Sequence, residues 1–272
     1  MISRCCTKGN LRHKERKIIL FVDSHIHVGQ FNDLYISPAC ISKLMTDVGV
    51  DYYAVSSTSM CEENYPKVLE ELRCLIKLDG NKVLPIMWVT PDGLNGNIAW
   101  FLESEIKWRC IKVHPELNPM DWDPLGTQFV EIIDIASELD LPILIHTGNK
   151  ECCVSRRYEK LIEQHPNNTF ILAHGRPIEE SLRIISSYHN AYTDTAFMPI
   201  DDIKTLIHYG LGHKILWGTD MCIPLYFFPR KNMIKYYNEK LKELRRVCTK
   251  EQFELVTSRN AMRVFNIQES VK

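Results

Sequence analysis

The sequence lacks the features that mark several large classes of protein. It has no surplus of charge of either sign, since 33 Lys and Arg residues stand against 34 Asp and Glu residues. A dedicated nucleic-acid-binding protein usually shows a basic surplus. The apolar run nearest to the start, 18–22, is far shorter than the about 20 residues that span a membrane. We therefore expect a protein that binds neither nucleic acid nor membranes.

The ten cysteines form no zinc-ribbon or thioredoxin motif, because no two of them are spaced C-x-x-C. Two pairs are adjacent in sequence, Cys5 with Cys6 and Cys152 with Cys153. We expect no secretory signal, because the apolar run after the basic stretch 4–17 is too short for an h-region of about 7–15 residues. These features predict reduced thiols in a cytoplasmic protein.

The length of 272 residues and the even composition set the expected domain organisation. Hydrophobic residues make up 45% and charged residues 25%, as in ordinary globular proteins. One α/β barrel of about 250 residues accounts for this length without a second domain. Since no linker or change of composition divides the chain, we predict a basic N-terminal extension over 1–17 and a single barrel domain over 18–272.

Short β-rich runs alternate with longer helical segments almost to the end, which predicts an α/β fold, the (β/α)8 TIM barrel. An open, doubly wound sheet is the alternative, but the G-x-G-x-x-G fingerprint of its nucleotide-binding version does not follow the first strand. The predicted strands are 18–23, 52–56, 83–89, 110–114, 142–146, 169–174, 191–194 and 214–218. The predicted helices are 36–48, 65–78, 98–107, 126–139, 156–165, 178–188, 200–209 and 231–247, and 250–265 is a further closing helix.

Ionisable residues stand at the ends of five predicted strands. His25 and His27 follow the first strand, and residues two apart in an extended chain point to the same side. The later strands that end in such a residue give His114, His146, His174 and Asp220. The C-terminal strand ends of a barrel meet at one mouth, and imidazoles with a carboxylate are good ligands for Zn²⁺ or a similar ion. The pattern predicts a metal site, although any one of these histidines could instead bond a backbone carbonyl.

The order of these segments resembles the amidohydrolase superfamily. More narrowly, it is similar to the amidohydrolase-related branch, which includes decarboxylases of the aminocarboxymuconate-semialdehyde type. The resemblance spans residues 18–267 and implies a metal-dependent TIM barrel of hydrolase type with C-terminal closing helices. It rests on DSHIH at 23–27, IKVHP at 111–115, IHTG at 145–148, AHG at 173–175, YTDT at 192–195, GTD at 218–220 and RNAMRVF at 259–265.

The resemblance assigns roles to the strand-end residues. It implies that His25, His27, His146 and Asp220 hold one divalent metal ion, zinc first and manganese as the alternative. His174 would be a further ligand in two-metal members of the family and an acid or base in one-metal members. Asp220 would also accept a proton from the attacking water. A bound divalent ion can lower the pKa of water toward ~7, which suits hydrolysis at neutral pH.

Three further residues are predicted to face the substrate, namely Lys112, His114 and Arg176. Lys112 would be either a carboxylated bridge between two ions or a lysine that anchors an anionic substrate. Its position two residues before the strand end favours the second role and a single ion. Arg176 would either clamp a substrate carboxylate or pair with Glu179 or Glu180 in the next helix.

The leading functional hypothesis is a metal-dependent hydrolase that cleaves an amide, lactone or ester bond in a small molecule. The main alternative is a non-oxidative decarboxylase of a small aromatic or enoic acid that uses the same ligands. A third hypothesis is a catalytically silent barrel, which would not need the complete set of His25, His27, His146, His174 and Asp220. An anionic substrate and a homo-oligomer both fit the sequence.

Overall fold

The structure, a computed structural model, describes residues 20–90, 98–117 and 123–268. The predicted extension over 1–17 lies outside the described residues. Within these ranges, nine strands form a sheet in the order β2-β1-β3-β4-β5-β6-β7-β8-β9. Their bounds are β1 Val22–Phe31, β2 Leu34–Ile36, β3 Tyr52–Ser57, β4 Val83–Trp88, β5 Cys110–Val113, β6 Ile143–His146, β7 Phe170–Ala173, β8 Ala191–Asp194 and β9 Ile215–Leu216.

Eight of these strands, β1 and β3 to β9, run parallel and occupy the eight predicted positions. The sheet curls, and the predicted TIM-barrel class is confirmed. The sequence analysis did not predict β2, which pairs antiparallel with the end of β1. The tight turn between them uses Asn32, whose φ of 52° lies in the left-handed region that Asn tolerates.

The first strand is longer than predicted. It was expected to end at Asp23, but β1 continues to Phe31 because Ile26 and Val28 are buried apolar residues that extend its pairing with β3. The pairing register shifts between Asp23 and Ile26. His25 and His27 therefore lie inside β1 and not after it.

The barrel is not fully closed, which differs from the predicted closed barrel. Between β9 and β1 there is only an isolated bridge, Ile26 with Met221, and a few backbone hydrogen bonds such as Asp220 N–H to His25 C=O at 2.8 Å. A two-residue strand is too short for a continuous ladder. The chain also needs glycine where it passes β1, since a Cβ on Gly218 would lie 3.0 Å from the Cβ of His25.

Helices follow most strands and agree in broad terms with the prediction. Two differences occur at the end of the chain: α8 was not predicted, and the closing helix 250–265 consists of α10, a π-helical segment Leu255–Arg259 and α11. None of the described helices is long and apolar enough to cross a membrane. The bounds are α1 Pro38–Val48, α2 Tyr65–Asp79, α3 Ile98–Leu102, α4 Thr127–Glu138, α5 Glu159–Gln164, α6 Ile178–Ser187, α7 Ile200–His208, α8 Ile223–Phe227, α9 Met233–Val247, α10 Lys250–Glu254 and α11 Asn260–Val264.

The strands are covered on both faces, as continuous apolar runs in a parallel sheet predict. In β6, Ile143 and Ile145 belong to the large core that includes the buried side of α4. Leu144 between them belongs to a second cluster with Phe265, which follows α11. Because successive side chains of a strand point to opposite faces, α11 packs against the face that carries Leu144. Lys112 is paired with Leu144 in the sheet register.

Candidate active site

The structure brings the predicted strand-end residues together at the C-terminal ends of the strands. His25 and His27 come from β1, Lys112 from β5, His146 from the end of β6, His174 from directly after β7 and Asp220 from the segment after β9. All of them are buried except His146, whose side chain is 14% exposed. Side chains from five parallel strands thus form one cluster at the carboxyl ends of the strands, as the topology predicts.

Two of these residues have strained backbones. The φ angles of His174 and Asp220 are 69° and 56°, in the left-handed region that non-glycine residues seldom adopt. Such conformations cost about 1–3 kcal/mol each and persist where the surrounding structure holds them. Contacts with the surrounding structure must therefore hold both backbones in this conformation, as is common at functional sites.

Three donor atoms of the first half of the site lie within 4.8 Å of one another: His25 Nε2, His27 Nε2 and Asp220 Oδ1. Asp220 Oδ1 is 2.8 Å from His27 Nε2 and 3.6 Å from His25 Nε2. The short contact lacks hydrogen-bond geometry, so this buried oxygen has no hydrogen-bond partner among the described residues. A buried carboxylate oxygen without a partner is costly unless a cation or proton joins it.

The hydrogen bonds around His25 and His27 fix their tautomers. Lys112 Nζ lies 3.1 Å from His25 Nε2 and 3.2 Å from His27 Nε2. Since an ammonium has only protons to give, both Nε2 atoms are acceptors and both protons are on Nδ1. Nδ1 of His25 donates to Asp194 Oδ2 at 2.8 Å, and Nδ1 of His27 donates to Ser56 Oγ at 3.0 Å. This is the tautomer that a metal-binding imidazole needs.

His146 and His174 form the second half of the site. His174 Nδ1 donates to the backbone carbonyl of Ala196 at 2.9 Å, so its Nε2 carries a lone pair. His146 Nε2 lies 3.4 Å from Glu116 Oε2, which can only accept, so a neutral His146 carries its lone pair on Nδ1. Nδ1 of His146 is 3.2 Å from Nε2 of His174. Two lone pairs thus face each other, which favours a cation near them.

Burial sets the charge state of the site. It lowers the pKa of His25, His27 and His174 to about 3, so these imidazoles are neutral at neutral pH. Burial also lowers the pKa of Lys112 to about 8. Burial opposes ionisation of Asp220, but the Lys112 ammonium, whose own pKa Asp220 raises, favours its carboxylate form. The cluster thus combines neutral nitrogen donors with an ionised carboxylate.

This donor set fits a divalent metal ion. Neutral imidazole nitrogens and a carboxylate oxygen are the ligands of catalytic zinc sites, and the unpartnered Asp220 Oδ1 lies among them. Lys112 now bonds the two Nε2 lone pairs that an ion would take, and its lowered pKa makes the ammonium easy to neutralise.

A cavity of about 610 Å³ opens above the cluster and is walled largely by aromatic side chains. Its aromatic residues are Phe31, Trp88, Phe197, Phe227 and Phe228, and it is also lined by Lys112, His114 and Arg176. His114 is stacked between Trp88 and His146, with a ring-centroid distance of 3.7 Å to His146. The three predicted substrate-facing residues therefore all line one cavity that is large enough for a small molecule.

Arg176 does not pair with the next helix. Its guanidinium donates to the backbone carbonyl of Phe197 at 2.8 Å, while Glu180 is paired with Arg156 at 2.5 Å. Among the described residues Arg176 makes no ion pair. Its charge is thus available to an anion in the cavity.

Two residues of the site were missed by sequence reasoning. Asp194, at the end of β8, was noted only as part of YTDT, although the strand-end rule that found the histidines also applies to it. Glu116 follows His114 by two residues, and its contact with His146 depends on where the loop after β5 turns. Histidines that bind metal commonly donate their other ring N–H to a carboxylate. The contact of Glu116 with His146 fits this pattern.

In this barrel the buried histidines and an aspartate meet at the C-terminal ends of the strands. This arrangement is typical of metal-dependent TIM-barrel enzymes. The family described as Amidohydrolase matches residues 94–267, more than half of the chain. The chain belongs to this amidohydrolase family. A comparison with curated protein sequences returns no match.

Solved structures with the same fold include both hydrolases and decarboxylases. An uncharacterized TIM-barrel protein from Bordetella bronchiseptica superposes with a TM-score of 0.67 at 14% identity, over 91% of this chain and 99% of that one. The 5-carboxyvanillate decarboxylase LigW from Sphingomonas paucimobilis gives 0.64 at 11% identity, over 92% and 100%. A probable 2-pyrone-4,6-dicarboxylic acid hydrolase from Acinetobacter baumannii gives 0.62 at 12% identity, over 91% and 99%. At these identities the likeness concerns the fold.

Proposed function

We propose that the protein is a divalent-metal-dependent hydrolase that cleaves an amide, lactone or ester bond in a small molecule. His25, His27, His146 and Asp220 would hold one catalytic ion, zinc first and manganese as the alternative. The observation that carries this proposal is the buried Asp220 Oδ1, which has no hydrogen-bond partner among the described residues and lies 2.8 Å from His27 Nε2. Membership of the amidohydrolase family supports it.

The residues of the site have distinct tasks in this reaction. When bound, a divalent ion polarises a carbonyl and lowers the pKa of water toward ~7. Asp220, ionised at neutral pH, accepts the proton of the attacking water on its carboxylate. His174, with a lone pair on Nε2, would accept or return a proton. Lys112 and Arg176 hold negative charge on the substrate, and the aromatic walls exclude water from the cavity.

Metal analysis tests the ligand set directly. Wild type expressed with zinc or manganese supplied should contain a divalent ion, whereas His25→Ala and His146→Ala should lose the ion bound by this cluster. His208→Ala, on the exposed end of α7, is the matched control and should retain the wild-type content. A wild type without any divalent ion would contradict the proposal.

A substrate panel then tests the reaction. Lactones, N-acyl compounds, esters and aromatic carboxylates should be supplied to the metal-loaded protein, and turnover of one of the first three classes is expected. His174→Asn and Asp220→Asn should remove that turnover. A metal-loaded protein that acts on no member of the panel would favour the catalytically silent barrel.

A decarboxylase of a small aromatic acid is the second candidate, and a specific observation favours it. Arg176 has no ion pair among the described residues and lines a cavity with aromatic walls, which suits a planar carboxylate. If the panel shows CO₂ release from an aromatic acid, Arg176→Met should raise KM by at least about tenfold with a smaller change in kcat. Hydrolysis of a lactone, amide or ester, with no CO₂ release from any aromatic acid, would instead support the leading proposal.

A further inference from the structure

A second group of metal-ligating atoms lies at the mouth of the barrel and shares only His146 with the catalytic cluster. Glu116, His146 and Cys153 each offer one donor atom, and these atoms lie within 4.8 Å of one another. Glu116 Oε2 is 3.4 Å from His146 Nε2 and 3.8 Å from Cys153 Sγ. We propose that these three side chains form an auxiliary site for a zinc-like divalent ion, distinct from the catalytic one.

The spacing of the donors matches tetrahedral zinc. Bond lengths of about 2.0–2.1 Å to nitrogen or oxygen and about 2.3 Å to sulfur place N and O ligands about 3.3 Å apart and S and O ligands about 3.6 Å apart. The observed 3.4 and 3.8 Å are close to both values. A mixed set of thiolate, imidazole and carboxylate is also typical of zinc ligands.

Gly148 gives a second, independent indication. A Cβ built on this residue would lie 3.0 Å from Cys153 Sγ, 3.5 Å from Glu116 Oε2 and 3.6 Å from His146 Nε2. The absence of a side chain therefore leaves open the space that the three donor atoms surround. The surrounding structure holds the donors in place, since Cys153 is buried and His146 is stacked on His114.

The charges around the site permit an ion. Lys150 Nζ binds the other carboxylate oxygen, Glu116 Oε1, at 2.8 Å, and its side chain is largely exposed. Oε2 is left for the ion. Burial raises the pKa of the Cys153 thiol to about 12, so ion binding must release the thiol proton to solvent while the metal–sulfur bond forms.

His146 links the two sites through its tautomer. With its proton on Nε2 it donates to Glu116 and presents Nδ1 to the catalytic cluster, whereas with its proton on Nδ1 it donates to His174 Nε2 and frees Nε2 for the auxiliary ion. An ion bound by Glu116 and Cys153 therefore favours the tautomer that withdraws His146 from the catalytic cluster. This consequence rests on the proposed function, but the auxiliary site itself does not.

Cobalt titration of the full-length, metal-free protein tests the proposal, because the catalytic cluster contains no thiol. Thiolate-to-Co²⁺ charge transfer gives a near-ultraviolet band that the catalytic cluster cannot produce. Wild type should develop this band, and His25→Ala should retain it even though its catalytic cluster has lost a ligand. If wild type develops the band but binds no further cobalt at the catalytic cluster, the proposed function is contradicted and the auxiliary site is not.

Variants assign the band to Cys153. Cys153→Ser should lose it, whereas Cys152→Ser, the adjacent cysteine, should keep it. Glu116→Gln, on a partly exposed side chain, should weaken the Co²⁺ affinity read from the band by at least about tenfold. Gly148→Ala should weaken it as well. Absence of the band in wild type, or a band that survives in Cys153→Ser, would overturn the auxiliary site.

Discussion

Asp194 Oδ2 lies 2.8 Å from Nδ1 of His25, and both side chains are completely buried. The other oxygen, Oδ1, accepts the backbone N–H groups of His174 at 2.9 Å and Ala196 at 3.0 Å. One carboxylate at the end of β8 thus orients a ring on β1 and holds the segment that carries His174. Its charge favours the proton on His25 Nδ1, which leaves Nε2 free for a ligand.

We expect Asp194→Asn to weaken metal binding by about 10–100-fold. The two backbone N–H groups at Oδ1 will keep the amide oxygen there, so the NH₂ group replaces Oδ2 and faces Nδ1. It can only donate, which moves the imidazole proton to Nε2 and blocks the ligand atom. The zinc affinity, measured by competition with a chromophoric chelator, reports the effect. The control is Asp201→Asn, at an exposed position of α7. Equal affinities of Asp194→Asn and wild type would show that Asp194 does not set the tautomer.

Asn260 ties the closing helices to the bottom of the barrel. Its side-chain nitrogen donates to the backbone carbonyls of Gly212 at 2.8 Å and Ile215 at 2.7 Å, and all of these groups are buried. Asn260→Ala leaves both carbonyls unsatisfied and should lower the free energy of unfolding by about 2 kcal/mol. Urea unfolding of the metal-free protein checks this value. Asn238→Ala on exposed α9 should change it by no more than about 0.5 kcal/mol, and an equally small effect at Asn260 would contradict the structural role.

Lys214 should make stability rise with pH in the alkaline range. Burial lowers its pKa to about 8, whereas an unfolded lysine keeps its proton to about pH 10.4. Between these values the unfolded chain binds more protons, so the free energy of unfolding increases with pH. Relative to Lys214→Met, wild type should therefore gain about 1 kcal/mol from pH 8 to pH 10. A difference that stays constant, as expected for exposed Lys204→Met, would exclude this titration.

The strand-end pattern was a good guide because it depends on topology alone. Parallel strands bring their carboxyl ends to one edge, so His146, His174 and Asp220 meet whatever the loops do. The same regularity made the eight parallel strands readable as β-rich runs, although β8, Ala191–Asp194, is short and polar. Their existence followed from sequence, and so did the amphipathic face of α4.

Features that depend on contacts between distant parts of the chain could not be predicted from the sequence. The length of β1 and its register shift depend on its pairing with β3. The strand β2 forms only because the end of β1 offers it an antiparallel partner. The sequence allowed Arg176 to pair with Glu179 or Glu180, whereas in the structure Arg156 pairs with Glu180 and Arg176 makes no ion pair among the described residues. The contact of Glu116 with His146 depends on the path of a loop.

Asp220 and His174 are the two candidates for proton transfer, and paired variants separate them. Asp220→Asn keeps the size and one oxygen donor of the side chain but removes its basicity. If Asp220 is the base, kcat should fall by about 10²–10⁴-fold while the metal content stays close to that of wild type. Metal content and kcat must be measured on the same preparations.

His174→Asn provides the opposite comparison, because it removes the Nε2 lone pair that faces His146 and leaves the Asp220 carboxylate unchanged. If Asp220→Asn keeps near-normal turnover while His174→Asn abolishes it, Asp220 serves only to hold the ion and His174 moves the proton. That outcome would favour the decarboxylase, in which a single acid or base suffices to protonate the carbon that loses CO₂. A large loss of kcat in Asp220→Asn with retained metal supports the hydrolase, because the attacking water must give up a proton to a carboxylate beside it.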